Sequence, residues 1–328
     1  MAQRSDDERL ILDMFRYMRP SGTATEQVFV DKFLTPLGFE RDKYRNLVLI
    51  VGDSPRVLFS SHMDTVHRSE GVQTLSYQDG VLELSKAAKR RGSNCLGADD
   101  TAGIWLMSEM IKAGVEGVYV IHHAEESGCI GSTDLAKGNP AFFEGIDYAV
   151  AFDRAYDDDV ITHQMGRRTC SDGFAKALAK SLGGKYKPSD GGAYTDTNEY
   201  AQLVAECTNV SVGYVGQHTS NERQDVRFLI ELRDKLLTIE WAELPVLRDP
   251  SAWDDEDTGY FWGRNRRSSL SASWADYNSD VTDLVKDYPD VVASILEAYG
   301  IGRHDIMDEV SKVYGYVTPP FEVDREVA

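Results

Sequence analysis

The sequence predicts a three-layer α/β/α fold built on a mixed, mostly parallel central sheet. Three observations carry that expectation. Apolar runs of strand length alternate with segments of helical period from about residue 7 to residue 241. Runs such as 118–121 are apolar without a break, as strands covered on both faces are. Several runs end in a carboxylate or imidazole tip, and in open parallel sheets ligands gather at the carboxyl ends of strands.

The elements follow in order. Leu10, Ile11, Met14, Phe15 and Met18 share one face of a helix expected over 7–19, which Pro20-Ser21-Gly22 breaks. Thr23 and Glu26 have capping-box spacing, so a second helix is expected over 25–37, closed at Leu37-Gly38-Phe39. Strands are expected at 46–51 and 56–60 about the turn Gly52-Asp53-Ser54-Pro55, and at 81–84. Residues 86–92 read as a basic, exposed loop or edge. After Leu96-Gly97-Ala98-Asp99-Asp100 come a helix over 101–113, a strand at 118–122, a helix at 131–137 and a strand at 147–152. A short strand at 160–163 and a helix over 172–182, ended by Gly183-Gly184, lead to a helix near 196–204. A strand at 209–214 and a long helix over 221–241 complete this block, taken as residues 1–245. Residues 246–328 lack periodicity at first and hold Trp253, Trp262 and Trp274, large side chains that suit a packed segment. They are expected to form a C-terminal extension with short helices at 289–299 and 304–314.

The chain of 328 residues is long enough for one large domain or two modest ones, and at 42% hydrophobic it can bury a core. Its net charge of −19 repels a phosphate backbone, which argues against nucleic acid as a partner. No stretch approaches the roughly 18 apolar residues of a membrane span, and the first residues lack the layout of a secretory signal. A cytoplasmic location is the expectation, with no membrane partner. Cys95, Cys129, Cys170 and Cys207 are far apart and read as reduced, buried thiols.

The strand tips carry the chemistry. His62 and Asp64 end the run after Phe59, and strand alternation puts them on one side. A carboxylate beside an imidazole fixes the orientation a metal ligand needs. Asp99-Asp100 precede a helix, Glu125-Glu126 follow the strand ending at His123, Asp153 follows Phe152, and His218 lies beyond Tyr214. Alone, each has an ordinary explanation: an N-cap, a solvated charge pair, an acidic loop, a surface turn. Their succession at strand ends points to a metal site. Imidazole and carboxylate donors without clustered cysteines suit zinc. Two Zn²⁺ ions against two neutral histidines and three carboxylates leave one positive charge for a bridging hydroxide, a balance that favours ionised water near neutral pH. Glu125, next to a ligand Glu126, is the natural acceptor of that water's proton.

These motifs resemble the co-catalytic di-zinc exopeptidases, a group that includes peptidase T, carboxypeptidase G, the glutamyl aminopeptidases and the leucyl-type aminopeptidases. The likeness covers roughly residues 8–240. It rests on Pro20-Ser21-Gly22-Thr23, Arg45-Asn46-Leu47 and Ser61-His62-Met63-Asp64-Thr65-Val66, and is sharpest at Leu96-Gly97-Ala98-Asp99-Asp100-Thr101-Ala102-Gly103 and Ala124-Glu125-Glu126-Ser127-Gly128-Cys129-Ile130-Gly131. The resemblance implies that Asp99 bridges two zinc ions and that His62 and Asp153 share one of them. Glu126 and His218 would hold the other, with Co²⁺ or Mn²⁺ as substitutes. It further implies that Asp64 orients His62, that Glu125 is general base and then general acid, and that the Asp99–Asp100 bond is cis.

The sequence departs from part of that group. About 65 residues separate Asp153 from His218, too few for an inserted lid domain, so the catalytic domain is expected to stand alone. The stretch Asp190-Gly191-Gly192-Ala193-Tyr194-Thr195-Asp196 resembles the glycine-rich turn before the last histidine, which makes Gly191, Gly192 and Asp196 candidates to border the substrate. Arg154 has two readings: a partner for a substrate carboxylate, or for the Asp157–Asp159 run. The remaining histidines, His67, His122, His123, His163 and His304, read as non-ligands. The expected function is hydrolysis of short peptides from the amino end. An amidase, deacylase or carboxypeptidase acting on an acylated amino acid or peptide is the alternative, and a non-catalytic binding descendant a further one. A homo-oligomer is compatible with either.

Overall fold

In the computed structural model the chain divides into two compact units, Met1–Gly263 and Arg264–Ala328. The structure describes residues 4–251, within the first, and four isolated positions beyond (Val285, Val292, Leu296, Ile306). Val292 and Leu296, within the helix expected at 289–299, and Ile306, within that expected at 304–314, are helical; the other residues of both stretches and the three late tryptophans lie outside the described residues.

The strands, in chain order, are β1 (Tyr17–Met18), β2 (Glu40–Arg41), β3 (Leu47–Val51), β4 (Val57–His62), β5 (Gly71–Val72), β6 (Leu75–Gln78), β7 (Val81–Leu84) and β8 (Gly117–His122). They continue with β9 (Tyr148–Arg154), β10 (Asp159–Ile161), β11 (His163–Gln164), β12 (Arg167–Arg168), β13 (Lys187–Ser189), β14 (Glu206–Ser211), β15 (Tyr214–Val215) and β16 (Arg223–Asp225). The α-helices are α1 (Asp6–Met14), α2 (Ala24–Phe29), α3 (Lys86–Arg90), α4 (Ala98–Lys112), α5 (Ile130–Gly138), α6 (Asp172–Leu182), α7 (Asp196–Glu199) and α8 (Val226–Leu236).

The central sheet has the order β13-β10-β14-β9-β4-β8-β3-β2. Its middle four strands, β14, β9, β4 and β8, are mutually parallel, and β3 joins antiparallel. Strand alternation divides the apolar side chains between two cores. Phe59, Tyr119, Ile121, Val150 and Phe152 enter the larger one with α4, α6 and α8. Leu58, Val118, Val120 and Ala149 enter a smaller one on the other face, with Leu135 of α5 and with Tyr200, Ala201 and Val204 after α7. This is the expected α/β/α arrangement. A second sheet, β15-β16-β7-β6, is antiparallel. Residues 154–217 supply β10, β13, β14 and α6 to the main layers, so no separate domain interrupts the chain there.

Several boundaries differ from the sequence pattern, each for a local reason. The first helix stops at Met14, not 19. Pro20 disfavours a helical Arg19, and Tyr17–Met18 pair instead with Gly71–Val72. The helix expected over 25–37 is one continuous rise of α2, a π turn (Val30–Leu34) and a 3₁₀ turn (Thr35–Leu37), closed by Gly38 at φ 99°. Residues 86–90, expected as loop, form α3 because Ser85 accepts the Ala88 amide as an N-cap. Only 196–199 of the expected 196–204 helix is regular. The strand expected at 209–214 is two strands in different sheets, β14 and β15. The last helix begins at Val226 rather than 221, since Arg223–Asp225 pair with β7 and Asp225 caps the helix through the Phe228 amide.

Candidate metal centre and active site

Buried β4 ends at His62. His62 Nδ1 lies 3.1 Å from the Asp64 backbone carbonyl and 3.5 Å from Asp64 Oδ1, both acceptors for an Nδ1 proton, so Nε2 is the ring nitrogen that could offer its lone pair to an ion. Nε2 lies 2.9 Å from Asp99 Oδ1 and 3.7 Å from Asp153 Oδ1. The other oxygen of Asp99, Oδ2, lies 3.2 Å from His218 Nε2, which is 3.1 Å from Glu126 Oε1. The structure thus brings all five expected donors together, and the two oxygens of Asp99 face two different histidines. The Asp99–Asp100 bond is cis.

These spacings fit metal coordination. Tetrahedral bonds of about 2.0–2.2 Å separate neighbouring donor atoms by roughly 3.3–3.5 Å. Asp99, Glu126 and His218 form one group whose ligand atoms lie within 4.8 Å of one another, and His62, Asp100 and Asp153 form another. Despite their 3.1 Å approach, His218 Nε2 and Glu126 Oε1 are buried without a hydrogen-bond partner. Buried polar atoms left without a hydrogen-bond partner are what an ion satisfies.

The electrostatics agree. Burial pushes the Glu126 carboxyl up to about 7, with Asp99 adding to it, and Asp153 up to about 6 by the same two causes. Glu125 is driven well above the usual carboxylate range, first by burial. Burial pulls the two histidines down, but the carboxylates beside them outweigh it and carry His218 up to about 11 and His62 well above its ordinary value. Asp99 moves the other way, because His218 and His62 overcome its burial. A pocket this rich in buried carboxylates calls for cations, which divalent ions would supply.

Several of these residues are positioned by a second one. Asp64 Oδ1 accepts the Glu125 amide at 3.1 Å, so one carboxylate holds both His62 and Glu125. Glu125 opens a 3₁₀ turn (Glu125–Ser127) directly after β8. Asp153 receives Thr195 Oγ1 at 2.8 Å and Tyr214 Oη at 3.3 Å. Asp100 is engaged by the Ser61 hydroxyl and by the amides of His62 and Gly103, so it acts as a brace. Arg19, fully buried, donates Nε to the Met63 carbonyl at 2.6 Å and Nη1 to Thr101 at 2.7 Å. Sequence reading missed Thr195, Tyr214, Asp100 and Arg19 in these roles; only Asp100, as half of an Asp-Asp pair, carried a signal.

The substrate candidates separate. Arg154 is committed to Asp159, with Nη2 to Oδ2 at 3.0 Å, the second of its two readings. Gly192 bridges to Gln164, and a Cβ there would stand 2.1 Å from the His163 carbonyl oxygen, so this glycine serves close packing. A Cβ on Gly191 would make only ordinary contact, with Ser189 Oγ at 3.8 Å. Asp196 is buried and accepts the Ser132 hydroxyl at 2.5 Å, tying α7 to α5 behind Glu125. His67 spans Thr65 and the Cys95 carbonyl, and His122 approaches Tyr200. His163 contacts Thr162, and His304 lies outside the described residues.

No protein-family model matches the sequence, and a search of curated proteins finds no match. Solved structures do match. The fold is that of solved aminopeptidase structures. Aminopeptidase PepT from Bacillus cereus ATCC 10987 superposes at a TM-score of 0.58 and 17% identity, covering 70% of this chain and 96% of that one. A tripeptidase from Staphylococcus aureus gives 0.58 at 17% identity over 71% and 97%. The Pyrococcus horikoshii TET1 peptidase gives 0.52 at 14% identity over 71% and 98%.

Proposed function

We propose that this chain is a metal-dependent aminopeptidase that cleaves short peptides. One observation carries the reading: two histidine-carboxylate clusters share Asp99 at the carboxyl edge of the sheet, with Glu125 braced beside them through Asp64. His62, Asp99 and Asp153 would hold one zinc ion, and Glu126, His218 and Asp99 a second, with cobalt or manganese as substitutes. When bound, the ions supply Lewis-acid polarisation of the peptide carbonyl and lower the pKa of water.

Glu125 does the proton work. Burial raises its basicity, and the Asp64 bond to its amide fixes the backbone that carries it. Its carboxylate takes a proton from the attacking water as the oxygen adds to the carbonyl carbon. It returns that proton to the amide nitrogen as the C–N bond breaks; the new carboxyl group gives up its remaining proton, and a carboxylate and an ammonium leave. The free, buried cysteines suit a reducing compartment, which supports a cytoplasmic enzyme. The reading extends to self-association, supported by the TET1 peptidase, which can assemble into a tetrahedron or a larger shell.

Hydrolysis of a tripeptide and of its N-acetylated form by the zinc-loaded chain tests the reading. Cleavage of the free peptide alone is expected. Preference for the acetylated form would instead indicate a deacylase or carboxypeptidase.

A further inference from the structure

Glu222 lies four residues after His218, at the end of a closed turn. The Glu222 amide donates to Thr219 O at 3.0 Å, and the Thr219 hydroxyl donates to Gly216 O at 2.7 Å. Its side chain leaves that turn and crosses to a segment more than 120 residues earlier in the chain. There Oε2 accepts the amides of Leu96 and Gly97 at 2.7 and 2.9 Å, and Oε1 accepts those of Ala98 and Asp99 at 2.8 and 3.2 Å. Four successive backbone N–H groups converge on one carboxylate that is 1% exposed. Such a concavity of amides is an anion-binding nest, and here the chain supplies its own anion. The nest is held from the opposite side as well: Gly97 adopts φ 74°, and a Cβ on it would come within 2.8 Å of His67 Cε1.

The consequence lies at the metal centre. The last amide of the nest belongs to Asp99, whose side chain faces both histidines. The turn that carries Glu222 also carries His218. One carboxylate therefore ties the segment bearing the shared Asp99 to the segment bearing His218, through charge-assisted bonds that need no ion.

We propose that Glu222 is a positioning residue that sets the spacing between His218 and Asp99, so that the Glu126–His218–Asp99 site is formed before an ion arrives. The inference rests on the metal-dependent reading above. Glu222→Gln keeps the shape but turns an NH₂ group toward two of the four amides, which disrupts half of the nest.

The test is calorimetric titration of Zn²⁺ into metal-stripped wild type and Glu222→Gln, with thermal unfolding followed with and without zinc. Wild type is expected to take two ions. The variant should bind one of them about 10–100-fold more weakly, the usual effect of losing a residue that orients a ligand, and should gain less thermal stability from zinc. Two ions bound with wild-type affinity, with melting lowered equally in both conditions, would reduce Glu222 to a fold-stabilising residue and overturn the proposal. Wild type that takes no zinc would instead overturn the metal reading, and this inference with it. Amide exchange on metal-stripped wild type covers the case in which the variant does not fold. Protection of residues 96–99 is expected there, and exchange as fast as in exposed loops contradicts a preformed site.

Discussion

At the residue scale, the proposed function gives Glu125 and Asp64 different tasks. Asp64 touches His62 on one side and the Glu125 amide on the other, while the Glu125 carboxyl accepts from the Cys129 thiol at 3.5 Å. Glu125→Gln should therefore keep its metal and lose turnover, by about 10²–10⁴-fold, the usual contribution of a general base. Elemental analysis beside steady-state rates checks this, and a metal-replete variant with near-normal kcat would remove Glu125 from that role. The candidate donors His62, Asp99, Glu126, Asp153 and His218 were legible as a cluster because each follows directly from a strand end or loop whose place in the fold the pattern shows. Glu222, Thr195 and Arg19 were not. Each meets the site through tertiary approach, and nothing in the local sequence of Glu222 announces four amides from 96–99.

At the scale of elements, α4 presses closely against β9 just behind the site. A Cβ on Gly103 would stand 2.5 Å from the Phe152 carbonyl and 2.6 Å from Asp100 Oδ1. Gly103→Ala must push the helix off the strand, and the expected cost is about 1–3 kcal/mol, read as a lower midpoint in urea denaturation. A change within about 0.5 kcal/mol, as at an indifferent surface position, would contradict this packing. Long apolar elements were legible from their period, whereas ends were not. Met18 continues the helical spacing of α1, yet strand pairing to Gly71 overrides it. Arg223–Asp225 look like the start of a helix, yet they complete a sheet with β7. In both places a distant partner strand decides, and period alone carries no information about it.

For the whole molecule, the three-layer arrangement was the most legible feature, because unbroken apolar runs and intervening helices constrain the topology together. Its buried histidines make stability depend on pH. Burial, with Arg19 nearby, pushes His67 down to about 4, against an unfolded value of about 6.5. Between those values the unfolded chain binds the extra proton, so stability is complete above pH 6.5 and falls as pH drops toward 4. The loss reaches about 3 kcal/mol at most. His122, lowered to about 3 by burial and then by His62, acts in the same direction. Urea denaturation of wild type and His67→Gln at pH 7.5 and 4.5 isolates the first histidine. The advantage of wild type should shrink in acid, and an advantage independent of pH contradicts the assignment.

The fold, the shared Asp99 and the braced Glu125 support one proposal: that this chain hydrolyses peptide bonds only with divalent ions held in its two clusters. Zinc titrated into the metal-stripped chain, with tripeptide hydrolysis followed throughout, tests that most directly. The account predicts no turnover without metal and a rise that stops at two ions per chain; turnover by a chain shown metal-free by elemental analysis would contradict it.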